Sequence, residues 1–174
     1  MSVTSSTAPS PRSAGVLLAG ATLVFGIVWV SILIAGPETV PGHFGADGTP
    51  TRWDPTIEFL GIMALVAGGM AVLFTALPVI MARVPIEHVN VPNREQWNTP
   101  ARRAHLDALV TEDLRLIGTG TMLLLAAVLV VSGYVGLGGQ APGWLFIVMM
   151  GTYLGALALV LGRMVLGTRY TPPA

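Results

Sequence analysis

Four apolar runs, at residues 14–36, 56–83, 114–137 and 143–166, constrain this chain more than any other feature. A hydrocarbon core of about 30 Å is crossed by about 20 helical residues, and every run reaches that length. Inside lipid, a single segment satisfies its own backbone hydrogen bonds only as a helix. The expected fold is therefore all-α and integral to a membrane, with four transmembrane helices. Composition agrees, since 53% of residues are hydrophobic and 10% charged, where soluble domains carry about 25% charged residues. Glu58 and Pro78 are the only interruptions of the second run. Asp54-Pro55 ahead of it supplies a capping carboxylate and a proline suited to a first helical turn.

The remaining segments are polar. Residues 1–13 are rich in Ser, Thr and Pro, with Arg12 their only charge; such a composition buries too little apolar surface to fold and reads as a disordered tail. A cleaved secretory signal has an apolar stretch of about 7–15 residues, and the first run is longer, so it reads as an uncleaved anchor. Residues 37–55 make a turn-rich island and residues 84–113 a longer one. Residues 138–142 form a short turn that makes helices three and four antiparallel neighbours, and residues 167–174 form a tail. In the second island Thr99-Pro100 opens a short helix with Leu106, Leu109 and Val110 on one side and Arg102, Arg103 and Asp107 toward the other. That division suits either a helix lying in the membrane interface, with Trp97 as an aromatic anchor, or a solvated helix. In the fourth run Gly151, Gly155, Ala158 and Gly162 line one helical face, which lets another helix approach closely, from this chain or from a second copy.

Arginine placement sets the orientation. Arg12, Arg83, Arg94, Arg102, Arg103, Arg115, Arg163 and Arg169 flank one set of helix ends, and Arg52 alone lies in the first island. The positive-inside bias places both termini and residues 84–113 in the cytoplasm and residues 37–55 outside. All nine basic residues are arginine, in keeping with a GC-rich bacterial coding sequence and hence a multi-pass protein of a bacterial plasma membrane.

Several chemistries are excluded. The chain has no cysteine, which removes disulfides, thiolate metal sites and a thiol nucleophile. Net charge is zero and the basic residues are scattered, so the stripe of a nucleic-acid binder is missing. No ionisable residue falls in the middle of a run, where a proton relay or ion path would place one. No His-Glu-x-x-His pattern occurs, and Ser132 has no histidine in another run to act as its base, so it reads as a helix-packing hydroxyl. Nothing in the chain calls for a cofactor.

The chemistry-bearing residues gather in the first island, as Pro41, His43, Phe44, Asp47, Gly48, Pro50, Trp53 and Asp54. His43 with Asp47 and Asp54 has the donor types of a divalent-metal site. The same residues equally suit a turn at Asp47-Gly48 with Phe44 and Trp53 at headgroup level, or a surface that binds a peptide or lipid.

Pro41-x-His43-Phe44 followed by Gly48-x-Pro50-x-x-Trp53, between two membrane spans, resembles the small bacterial membrane domain of unknown function that also occurs in SdpI-type toxin-immunity proteins. Residues 89–93 (Val-Asn-Val-Pro-Asn), Trp97 and residues 100–103 resemble a cytoplasmic segment of the longer members. The chain departs from the family at Thr56, where a lysine is common, at Gln96, where an aromatic is common, and at Ala101, where an acid is common. The resemblance implies a membrane protein of that kind, with immunity or signalling as its role.

These observations lead to one expectation and two alternatives. The expectation is a non-enzymatic binding, signalling or immunity-like protein surrounded by membrane lipids. Its outer loop meets a protein or peptide partner, and Asn90, Pro92, Asn93, Trp97, Arg102 and Arg103 face a cytoplasmic one. The alternatives are a metal-dependent membrane enzyme using His43, Asp47 and Asp54, and an accessory subunit packed through the small-residue face of helix four.

Overall fold

The computed structural model describes residues 10–91, 93–166 and 168–171. It contains four helices long and apolar enough to cross a membrane: α1 (Pro11–Ala35), α2 (Thr56–Arg83), α3 (Pro100–Gly136) and α4 (Gly143–Val165). The first island is ordered as an antiparallel hairpin of β1 (Thr39–Phe44) and β2 (Pro50–Pro55). The all-α expectation is corrected to that extent. The reason it was missed is that Pro41, Pro50 and Pro55 cannot donate to a ladder and argue against a strand. Here the pairing accommodates them by slipping register between Pro41 and His43 and again between His43 and Phe44.

Helix α1 begins inside the expected tail. Proline is tolerated in a first turn because its missing N–H would go unpaired there anyway. Two α3 side chains also hold this start: Glu112 Oε2 accepts from Ser10 N at 2.6 Å, and Arg115 Nη1 donates to Pro11 O at 2.9 Å. Residues 1–9 of the expected tail lie outside the described residues. Helix α2 continues past Pro78 to Arg83.

Helix α3 joins two elements expected to be separate. Its 37 residues span about 55 Å at 1.5 Å each, well beyond the apolar layer. No glycine or proline occurs between Ala101 and Ile117 to interrupt it. The polar stretch is therefore one end of the same helix, which runs on into the apolar run. The short helix expected at Thr99-Pro100, interfacial or solvated, is instead continuous with the third long apolar helix.

All three other long helices pack on α3. Beside α1 it runs parallel, with Gly133 against Ile32 at one end and Gly15 against Arg115 at the other. Against α2 it runs antiparallel, and a Cβ at Gly118 would lie 2.7 Å from the Phe74 side chain. Trp29 Nε1 donates to Leu60 O at 2.8 Å and ties α1 to α2. Leu18, Phe25, Leu60, Met63, Met122 and Leu129 form the core between these three helices. Helix α4 has no buried residue. It is held by Tyr153 against Gly120, by a Thr121–Tyr153 hydroxyl bond of 3.2 Å, and by Phe146 against Phe44 at 4.8 Å between ring centroids. The outward faces are apolar, with Leu65 78% and Leu159 76% exposed, a surface that water would not tolerate over so large an area.

A second, smaller core lies at the end that carries both termini. Trp97, Leu106, Leu109 and Tyr170 are buried together there. Short 3₁₀ turns at Ile86–His88, Arg94–Trp97 and Thr168–Tyr170 cap it, so part of the expected C-terminal tail is folded back onto α3.

Candidate functional site

The hairpin is anchored through part of its first strand and exposed along most of its second. Val40 is fully buried, Pro41 is buried with it, and Phe44 packs on Phe146 of α4 rather than standing free at a headgroup level. Thr56 secures the exit into α2 by donating from its backbone to Glu38 O at 3.0 Å and from its hydroxyl to Pro37 O at 2.6 Å. At the tip Gly48 has φ +88°, a conformation that costs a side chain about 1–2 kcal/mol. A Cβ there would also collide with the carbonyl of Ala141. The tip is thus seated on the turn between α3 and α4.

His43, Thr51, Arg52 and Trp53 are exposed. His43 Nδ1 lies 2.6 Å from Thr51 Oγ1, while the Thr51 hydroxyl donates to His43 O at 3.4 Å. Those contacts tie the His43 ring to the opposite strand. Arg52 pairs with Asp54 at 2.9 Å and reaches Gly42 O at 3.3 Å. Asp47 Oδ1 accepts from Thr49 N at 3.0 Å and from Thr49 Oγ1 at 2.7 Å, and these bonds hold its carboxyl below the usual carboxylate range. Trp53, across the ladder from Pro41, is 49% exposed. Pro50 is half-buried beside the tip.

His43, Asp47 and Asp54 are each spent on a different local partner. Among the described residues no group of three His, Cys, Asp or Glu side chains is arranged to hold a metal. The geometry of this end suits contact through a fixed polar and aromatic surface.

The residues singled out in the second island are mostly built into the fold. Trp97 is completely buried and stacks on His105, which corrects its reading as an interfacial anchor. Arg102 donates to Gln96 O at 3.2 Å. Arg103 pairs with Asp107 at 3.0 Å and caps the end of α2 through Met81 O at 2.9 Å. Asn93 takes the left-handed conformation of a turn, with φ 54°. Asn90 is exposed, and Pro92 lies outside the described residues.

The small-residue face of α4 is bare. No atom lies within 4 Å of a Cβ placed on Gly151, Gly155 or Gly162, and Ala158 is exposed. Packing of this face within the chain is therefore not what occurs, because α4 meets α3 through its aromatic side, at Phe146 and Tyr153.

One cluster was not foreseen. Asp113 is fully buried in α3 and is held by Arg163 of α4, by Arg169 Nε at 3.2 Å and by the Tyr170 hydroxyl at 2.9 Å. Glu112 beside it pairs with Arg169 at 3.1 Å. Burial, with Asp113 alongside, pushes the Tyr170 hydroxyl above the ordinary phenol range, so it stays a donor. In the sequence, the acidic pair at 112–113 facing arginines near the end of the fourth run was the available signal. Counting those arginines for orientation alone passed it over.

No family model, curated protein or solved structure matches this chain.

Proposed function

We propose that this chain is a non-enzymatic, multi-pass protein of a bacterial plasma membrane, with both termini cytoplasmic. In this reading the hairpin recognises an extracytoplasmic protein or peptide, in the binding, signalling or immunity-like manner of the domain it resembles. The observation that carries the reading is the hairpin's division of labour. Val40, Pro41 and Phe44 fix it to the bundle, while His43, Arg52 and the half-exposed Trp53 are exposed on an ordered ladder. A surface fixed in advance loses little entropy when it binds. That end carries four acidic residues, Glu38, Asp47, Asp54 and Glu58, against the single Arg52, so the preferred partner is neutral or cationic.

The absence of native cysteine makes the test clean. Thr49→Cys should react with a membrane-impermeant maleimide in intact cells, and Glu95→Cys only after permeabilisation; the reverse pattern would overturn the orientation. With the topology in hand, Trp53→Ala and His43→Ala should each abolish recovery of a stoichiometric partner in mild detergent while leaving membrane insertion unchanged. Full recovery with both variants would sink the recognition role.

The bare face of α4 supports a second reading, that of an accessory subunit whose fourth helix packs on another membrane protein. Under that reading Gly155→Leu breaks co-purification while Trp53→Ala does not, because a side chain at 155 blocks close helix approach without touching the hairpin.

A further inference from the structure

We infer that the end of the bundle opposite the hairpin holds one anionic phospholipid, its acyl chain in a cleft floored by α3. Met81 in the last full turn of α2, Leu106 and Val110 of α3, and Met164 near the end of α4 line this cleft together with Val91 and Tyr170, enclosing about 630 Å³. Pockets of about 300–1,000 Å³ with mostly apolar walls and a few polar groups suit small amphipathic ligands. Asn90 is the polar residue of the lining whose side chain is exposed. The cleft sits where α2 and α4 both reach their last residues, Arg83 and Val165. Leu106 and Val110 lie in the part of α3 that precedes its apolar run, so a lipid tail reaches the cleft by bending past the ends of α2 and α4.

Charge selects the headgroup. This end carries eight arginines against five carboxylates, Glu87, Glu95, Asp107, Glu112 and Asp113, while the hairpin end has the opposite balance. Arg83 is exposed in the last turn of α2, and no carboxylate among the described residues forms an ion pair with it. An excess of arginine at the end of the bundle that holds the apolar cleft favours an anionic lipid over a zwitterionic one, as basic sites between membrane helices do. A second copy of the chain is a poorer occupant, because it would bring the same excess of arginine to the contact.

The inference rests on the membrane reading and is independent of the role given to the hairpin. Trp97 reports on the cleft, because it is buried in the same cluster as Leu106, Val110, Met164 and Tyr170. A full chain carrying Trp29→Phe, Trp53→Phe and Trp144→Phe keeps Trp97 as its only tryptophan. Reconstituted into phosphatidylcholine vesicles, it should be quenched by phosphatidylglycerol with brominated acyl chains at an about fivefold lower mole fraction than by brominated phosphatidylcholine, the ratio that one surface cation contributes. Val110→Phe, which fills the cleft, should remove that difference. Equal quenching by the two lipids would overturn the choice of headgroup, and selective quenching that survives Val110→Phe would overturn the cleft. Protein that fails to float with the vesicles would instead overturn the membrane reading. The unmodified chain gives a second measurement free of the tryptophan changes. After reconstitution in mixed vesicles and extraction in mild detergent, it should retain phosphatidylglycerol about fivefold enriched over phosphatidylcholine, and retention at the vesicle ratio would reject the inference.

Discussion

Asp113→Ala is expected to cost about 3–5 kcal/mol, the range for removing one partner of a buried ion pair. The magnitude follows from what remains. Asp113 is fully buried and receives Arg163, Arg169 and the Tyr170 hydroxyl. Without it two guanidinium groups are left to share Glu112, which also accepts from Ser10 N. Arg163 Nε already lacks a hydrogen-bond partner within the described residues, so the cluster has no spare acceptor to absorb the loss. The measurement is thermal unfolding of the detergent-solubilised protein, alongside protease sensitivity near the C-terminus, which should rise as residues 168–171 release. Asp113→Asn should fall between wild type and alanine, since an amide oxygen still accepts. Pairing Asp113→Ala with Arg169→Met should recover part of the loss, because it removes the more buried of the two guanidinium groups and leaves Glu112 to Arg163. A double variant no better than Asp113→Ala would mean that the charge is not what the cluster is for.

Trp97→Ala should be of similar size, about 3–5 kcal/mol, as for other large aromatic side chains removed from a core. Trp97 is completely buried between the 3₁₀ turn that carries it and the extension of α3, against Leu106, Leu109 and Tyr170. Its removal leaves a cavity that the short turns at Ile86–His88 and Arg94–Trp97 are too constrained to fill. Trp97→Phe should lose much less, because it keeps most of the apolar contact. The check is the same thermal series, with cysteine reactivity at position 95 as a local probe of whether the turns come loose. If Trp97 were an interfacial anchor, alanine would alter membrane partition and leave the melting temperature unchanged.

The two predictions fall on residues that local reading treated very differently. Trp97 was legible as important, yet its environment was misread, because an aromatic beside an amphipathic stretch has the same local pattern whether it faces headgroups or a core. The hairpin was legible as the polar centre between two spans but not as a ladder, since its prolines hide strand character and the register slips around His43. The four small residues on α4 showed their periodicity, and periodicity does not tell whether a face meets a helix, as at Gly118 against Phe74, or nothing, as at Gly155.

The sequence by itself determined the four long helices and their end-to-end order. Each depends on an uninterrupted apolar run long enough for lipid, and run length and hydropathy are properties of neighbouring residues. It also determined which polar segments share an end, because each span returns the chain to the opposite side. Only the tertiary structure decided that α3 is the helix on which the others pack, that α4 keeps its small-residue face bare, and that Asp113 meets Arg163, Arg169 and Tyr170 across 50, 56 and 57 positions of chain. Those pairings are set by how helices rotate and stack against one another. The information for that lies in the fit of side chains from distant segments, which no window along the sequence contains.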